Sequence, residues 1–281
     1  MPPQLGAHVS IAGGLPLAIG RGVDLGCQAL QIFVKNASQW RGRALDDSEA
    51  AAFREAHGAS PIGPLVAHSS YLINLAASDA DILARSRAAL ADELDRCDRL
   101  GVEGLVVHPG AHLGAGEEAG VERVAASLDA VLEALPRVGA RVLLENTAGQ
   151  GTVLGHRNAQ LAAIRRASRF PERLGFCLDT CHAFAAGYAV HEPAGLDEWL
   201  EEVGEVLGWE RVGALHLNDS KQPFDSRRDR HENVGRGAIG QETFARLLHD
   251  PRTAGKPMIV ETPIGDDGEG HRRDLELLRS L

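Results

Sequence analysis

Apolar residues recur along this chain in short runs, and the residue that closes each run is polar. Leu65-Val66-Ala67 ends in His68, Leu105-Val106-Val107 in His108, Val142-Leu143-Leu144 in Glu145, and Phe176-Cys177-Leu178 in Asp179; Val212-Gly213-Ala214-Leu215 ends in His216 and Met258-Ile259-Val260 in Glu261. A short, nearly continuous apolar run reads as a strand covered on both faces. Such a strand does not end in a carboxylate unless something at its tip requires one. Leu5 to Val9 and Ala29 to Val34 read as two further strands. Helical periodicity predicts helices at Leu15 to Leu25, Asp47 to His57, Asp79 to Leu100, Glu117 to Val138, Asn158 to Ser168, Leu196 to Leu207, Gln241 to His249 and Asp267 to Leu281.

Strands alternating with helices imply parallel, right-handed crossovers, and about eight such units in one chain point to a (β/α)8, or TIM, barrel. Two features favour the barrel over an open doubly wound sheet. No Gly-x-Gly-x-x-Gly turn follows the first strand, and polar residues stand at strand ends throughout the series instead of at one switch point. No linker or low-complexity tract interrupts the rhythm, so residues 1–281 are expected to form a single α/β domain.

Composition narrows this further. The chain has 281 residues, 44% hydrophobic and 24% charged, enough to bury an ample core. The opening Met1-Pro-Pro-Gln-Leu-Gly has neither a basic nor an apolar leader segment, so a cytoplasmic protein with no membrane span is expected. Of the cysteines, Cys27 and Cys97 are isolated and only Cys177 and Cys181 are close; all four read as small buried hydrophobes, not as a disulfide framework. A net charge of -10 argues against a nonspecific nucleic-acid binder, an objection that weakens if bound cations engage some of the carboxylates. Basic residues gather in the expected loops: Lys35, Arg41 and Arg43 early, then Lys221, Arg227, Arg228, Arg230 and Arg236 late. A solvated surface and a phosphate-facing patch both remain open for them.

A single histidine at a strand end is more often structural than a ligand, but six strand ends in a barrel converge over one face. His182, three residues after Asp179, and the pair Asp229-Arg-His231 extend the set to five histidines and four carboxylates. Imidazole and carboxylate together suit zinc, with manganese or iron as poorer fits. Nine side chains are too many for one tetrahedral ion, so two or three ions are implied. Carboxylates bridging ions about 3.5–4 Å apart activate water and spread charge on a phosphate under attack, which makes phosphodiester hydrolysis the reaction class that most needs the set.

The motifs Gly6-Ala-His-Val-Ser10, Lys35-Asn36, His68-Ser-Ser-Tyr-Leu-Ile-Asn74, His108-Pro-Gly110, Glu145-Asn-Thr-Ala-Gly149, Leu178-Asp-Thr-Cys-His182, His216-Leu-Asn-Asp-Ser-Lys221, Asp229-Arg-His231 and Glu261-Thr-Pro263 together resemble the endonuclease IV family of apurinic/apyrimidinic endonucleases. The resemblance implies three zinc ions per chain, with manganese or iron possible in part. His68 and His108 would hold the first, Glu145 would bridge to a second completed by Asp179, His216 and Glu261, and His182, Asp229 and His231 would hold a third. It implies an enzyme that cleaves double-stranded DNA on the 5′ side of an abasic site in base-excision repair, leaving a 3′-hydroxyl and a 5′-deoxyribose phosphate, and that trims blocked 3′ ends; a monomer is expected. Glu145 and Glu261 would position and activate the attacking water. Tyr71 and Leu72 match residues that push into the duplex at the lesion, and Asn36, Gln39 and Trp40 fall where the family makes further DNA contacts. Ser38 stands where the family often carries an Arg. Two other classes fit the strand-end pattern, a metal-dependent sugar isomerase or epimerase and a noncatalytic metal- or DNA-binding module; the former leaves His182, Asp229 and His231 unexplained.

Overall fold

The computed structural model describes residues 2–281. Parallel strands β1 (Gln4–Val9), β2 (Ala29–Phe33), β3 (Leu65–His68), β4 (Gly104–Val107), β5 (Arg141–Glu145), β6 (Leu174–Asp179) and β7 (Val212–His216) pair in chain order. Two-residue strands β8 (Asp219–Ser220) and β9 (His231–Glu232) form a small antiparallel ribbon in the loop after β7. Strand β10 (Pro257–Val260) then pairs with both β7 and β1, which closes the barrel. Around it run α1 (Leu15–Asp24), α2 (Asp47–Gly58), α3 (Ala80–Leu100), α4 (Glu117–Ala134), α5 (Asn158–Ala167), α6 (Thr180–Ala185), α7 (Pro193–Glu202), α8 (Gln241–His249) and α9 (Gly270–Ser280). The chain is one (β/α)8 domain, as its apolar rhythm implies.

Both strand faces are buried, which is why the strands read as unbroken apolar runs. Outward residues such as Leu30, Ile32, Leu65, Leu105 and Val107 join the large core under the helices. Alternate residues point to the axis, where Ala29, Val66, Val106, Leu143, Cys177, Ala214 and Ile259 make a separate buried cluster. Leu143 fills the middle of this floor because its neighbours are small: a Cβ added at Gly104 or Gly213 would lie 2.8 or 2.7 Å from its side chain.

Helix ends follow local chemistry. Asp46 caps α2 through the Ser48 amide, and Asp79 caps α3 through the amides of Asp81 and Ile82. Gly101, at φ 74°, takes the left-handed turn that ends α3. Three expected helices have shifted bounds. α4 stops at Ala134 instead of Val138, because Pro136 follows and a proline disfavours helix in the residue before it. The helix expected from Leu196 begins earlier, with Pro193 in its first turn, and its last turn widens into a π turn at Val203–Leu207. The final helix starts at Gly270, not Asp267. The one-turn α6 has no counterpart in the periodicity.

Gly6 packs so closely on β2 that a Cβ there would lie 2.0 Å from the Ala29 carbonyl oxygen. Gly6→Ala is therefore expected to cost about 3 kcal/mol, the upper end for overpacking a core. Urea unfolding measures it, and a loss below about 1 kcal/mol would show that β1 and β2 part freely.

Candidate metal centre

One layer above the apolar floor, every strand of the barrel turns a polar side chain to the axis. Counting two residues along from Gly6, Ala29, Val66, Val106, Leu143, Cys177, Ala214 and Ile259 gives His8, Gln31, His68, His108, Glu145, Asp179, His216 and Glu261. Two ladders set neighbours of this ring in register, His8 with Gln31 and Asp179 with His216, whereas the stagger of the barrel pairs Gln31 with Val66, His68 with Val106 and Glu145 with Cys177. His182 joins from α6. Asp179 caps that helix by accepting the His182 amide at 2.8 Å, so one carboxylate both faces the axis and fixes the turn that carries His182. Asp229 precedes β9 and His231 begins it, and pairing with β8 draws the long loop over the barrel mouth.

All nine side chains singled out in the sequence converge. Their ligand atoms form three groups, each within 4.8 Å: His68, His108 and Glu145; Glu145, Asp179, His216 and Glu261; His182, Asp229 and His231. Glu145 joins the first two. Its Oε2 lies 3.1 Å from His68 Nε2 and 2.8 Å from His108 Nε2, and its Oε1 lies 2.8 Å from His216 Nδ1. Asp229 likewise reaches both partners, His182 Nε2 at 3.1 Å and His231 Nε2 at 3.1 Å. Two atoms each about 2.1 Å from a tetrahedral ion stand roughly 3.4 Å apart, close to these spacings.

The other ring nitrogens show that the residues fit a cation. His68 Nδ1 lies 2.9 Å from the Ser69 carbonyl, His182 Nδ1 2.9 Å from the Asn146 carbonyl and His231 Nδ1 3.2 Å from the Glu261 carbonyl. Each carbonyl accepts a ring N–H, which leaves Nε2 with its lone pair aimed at a carboxylate. Lone pair against carboxylate is repulsive until a cation or a proton comes between. Nε2 of His182 and of His231 are buried and make no hydrogen bond, although Asp229 is close to both. A shared ion would satisfy all three.

Protons can fill the same gaps. Burial opposes charge on Glu145, yet His216 and His108 hold its carboxyl well below the usual range. Burial likewise opposes charge on Glu261, and His216 and His8 hold it low. Burial pushes His182 down, but Asp179 and Asp229 carry it well above an ordinary imidazole. His231, against the same penalty, is raised to about 9 by Asp179 and Asp229. Cys177 and Cys181 also lie beside the groups, but burial pushes both thiols up to about 12, so they stand there as neutral, small apolar residues. All four cysteines are buried and free.

The centre opens into a cavity of about 500 Å³ whose lining includes Phe33, Tyr71, Asp229, Arg230, Thr262 and Ile264. Tyr71 is 72% exposed at its rim and Leu72 half-buried beside it. Asn36, Ser38 and Gln39 are exposed on the neighbouring loop; Asn36 Oδ1 accepts the Ser38 amide at 2.9 Å. Trp40 is half-buried against the main core. Lys35 departs from the expected surface charge. It is buried, 3.1 Å from Glu93 Oε1, and its ammonium donates to the Trp40 carbonyl at 2.8 Å. The strand-end pattern misses two inward residues. His8 stands one place before the end of β1, and its Nδ1 lies 3.0 Å from Glu261 Oε1; Gln31 lies in the middle of Ala29-Leu30-Gln31-Ile32-Phe33, where the polar interruption is its only signal.

The barrel and its ring of donors define a class: the chain belongs to the xylose isomerase-like TIM-barrel family, whose profile matches residues 20–281. A protein of Chloroflexus aurantiacus named probable endonuclease 4 is 47% identical over 279 residues, covering 99% of this chain and 98% of its own. One of the same name from Geobacter sulfurreducens is 46% identical and spans 100% of this chain and 95% of its own. The crystal structure of endonuclease IV from Thermus thermophilus overlays with a TM-score of 0.88 at 39% identity, across 99% of this chain and 98% of that one. Within its class, the chain belongs to the endonuclease IV family of nucleases.

Protons and a cation would compete for one set of atoms, and that fixes a pH response. Folded His231 keeps its proton to about pH 9, whereas an unfolded histidine keeps it to about 6.5. The stabilisation is complete below about pH 6.5 and is lost as pH rises through the folded value. Glu145 and Glu261 behave oppositely: their contribution is present above about pH 4.3 and is lost as pH falls through their depressed values. Chelator-treated protein is expected to melt highest between about pH 4.5 and 6.5 and to lose Tm towards pH 9, while metal-loaded protein does not. Parallel melting curves for the two forms would contradict this.

Proposed function

We propose that this chain is a zinc-dependent repair endonuclease, acting as a cytoplasmic monomer. It hydrolyses double-stranded DNA on the 5′ side of an abasic site, leaving a 3′-hydroxyl and a 5′-deoxyribose phosphate, and trims blocked 3′ ends. The observation that carries the reading is the sorting of nine side chains into three groups that converge at one barrel mouth, two of them joined through Glu145. His182, Asp229 and His231 form a group of their own, which an isomerase or epimerase with one or two ions leaves idle. Relatives 46–47% identical along nearly the whole chain carry the name probable endonuclease 4, and they favour the nuclease over both alternatives.

The donors are imidazoles and carboxylates, the set for zinc, with manganese or iron tolerated. Bound there, three divalent ions lower the pKa of water, offset charge on the phosphate and cancel more than half of the formal net charge of -10. The two catalytic carboxylates divide the work by exposure. Glu145 is 0% exposed with both oxygens engaged by histidines, so it spans the groups. Glu261, 14% exposed at the cavity edge, orients the attacking water and takes its proton. A recessed centre reaches a sugar only if the duplex opens, and Tyr71 with Leu72 supplies the apolar wedge that fills the gap. Asn36, Gln39 and Trp40 lie along the adjoining loop as further DNA contacts. Exposed Lys221, Arg228, Arg230 and Arg236 face phosphates.

Purified protein is expected to hold three divalent ions per chain and to nick an abasic oligonucleotide, with nicking abolished by chelator. Two ions or fewer, with ketose turnover and no nicking, would defeat the reading. Glu261→Gln is expected to keep the fold and lower kcat about 10²–10³-fold, several kcal/mol of barrier; near-normal cleavage would remove Glu261 from catalysis. Tyr71→Ala is expected to weaken abasic-duplex affinity about 10–100-fold with metal content unchanged, the worth of a lost stacking platform. Ser38→Arg should tighten the same affinity, and no gain over the parent protein would count against Ser38 as a weak point in lesion binding.

A further inference from the structure

Six of the eight barrel strands give their upper inward position to a side chain of the metal groups; β1 and β2 give it to His8 and Gln31. Gln31 is 0% exposed, and both ends of its amide are engaged. Its Oε1 lies 2.8 Å from His216 Nε2, and its Nε2 lies 2.5 Å from Glu261 Oε1. The amide cannot be turned round. Reversal would set its oxygen against the Glu261 carboxylate, two acceptors in contact, so Glu261 dictates which end faces His216. With a carbonyl oxygen opposite, His216 Nε2 must carry the ring proton. When the ring is neutral, as a cation would require, His216 Nδ1 offers its lone pair 2.8 Å from Glu145 Oε1 and 3.1 Å from Glu261 Oε2, pointed into the middle group.

We propose that Gln31 is a positioning residue for the middle cation group: it selects the Nε2–H tautomer of His216 and pins one oxygen of Glu261, so that two groups from different strands are ready before a cation arrives. The proposal rests on reading the site as a metal centre. A single amide does both tasks because it is a donor at one end and an acceptor at the other, and β2 sets it beside His8, whose Nδ1 lies 3.0 Å from the same oxygen of Glu261. The other three histidines with an assigned tautomer take it from backbone carbonyls of the loops; only His216 takes it from a side chain. Its alignment therefore depends on one substitutable residue. Partners of this kind are worth about 10–100-fold in metal affinity or activity.

The test is Gln31→Met, which keeps length and volume and removes the hydrogen bonds to His216 and Glu261 together with the 3.0 Å contact of Gln31 Nε2 with His8 Nδ1. Zinc affinity is measured by chelator competition without DNA, and the cobalt-loaded protein by visible absorption. The variant should hold as many ions at saturation, with one bound about 10–100-fold more weakly and a changed cobalt spectrum. In turnover, kcat should fall while KM for abasic duplex stays. Competition curves and spectra that match the parent would overturn the proposal. If Gln31→Met fails to fold, Gln31→Glu serves: it keeps an acceptor for His216 and sets an acid against Glu261. The same single weakening is expected from it, and parental affinity would overturn the proposal. A parent protein that binds no divalent cation defeats the metal-centre reading itself, whereas a parent that binds and a variant that binds alike defeat only the role of Gln31.

Discussion

A carboxylate without exposed surface, standing on an apolar floor at the axis of a barrel, is the constraint around which this molecule is arranged. Glu145 sits directly above Leu143, with no solvent to offset its charge. It is tolerated because His68, His108 and His216 approach it from three other strands. Those histidines are in turn held by groups outside the cluster, a loop carbonyl for His68 and Gln31 for His216. Removing positive charge from the centre would leave Glu145, Asp179 and Glu261 facing one another at short range. A positively charged occupant, proton or metal, therefore offsets the repulsion among these buried carboxylates.

Much of this is legible in the chain because barrel strands are short and their ends carry the function. An apolar run that stops at a histidine or carboxylate gives both the strand and its tip residue, and all six such runs lie on the barrel with their tip residues at its mouth. Three features are harder to see. The helix that carries His182 is a single turn, too short for periodicity; only Asp179 as an N-cap announces it. Lys35 reads as a surface charge because its partner Glu93 lies 58 positions away on α3, a separation no local pattern reports. Gln31 sits inside a strand whose neighbours on both sides are apolar, so the strand assignment absorbs its polarity.

The loop that supplies Asp229 and His231 shows how irregular backbone is made dependable. Asp225 and Arg227 adopt positive φ angles of 55° and 54°, a region that costs free energy for residues other than glycine. Their amides donate to the carbonyls of Phe184 and Ala185 at 3.2 and 3.0 Å, at the carboxyl end of α6. The strain is offset by satisfying a helix terminus, and the helix concerned is the one bearing His182. All three members of the outer group are thus tied to one small structure.

Beneath the rim, the buried Lys35 joins two loops that are remote in sequence. Its ammonium holds the Trp40 carbonyl and Glu93; Glu93 accepts the Ser70 amide at 3.1 Å; and the Ser70 hydroxyl donates to the Ala37 carbonyl at 2.6 Å. Tyr71 is the next residue in the chain. The strip from Ala37 to Trp40 and the turn that carries Tyr71, far apart in the chain, are therefore bound into one closed circuit of buried polar contacts beside the cavity mouth.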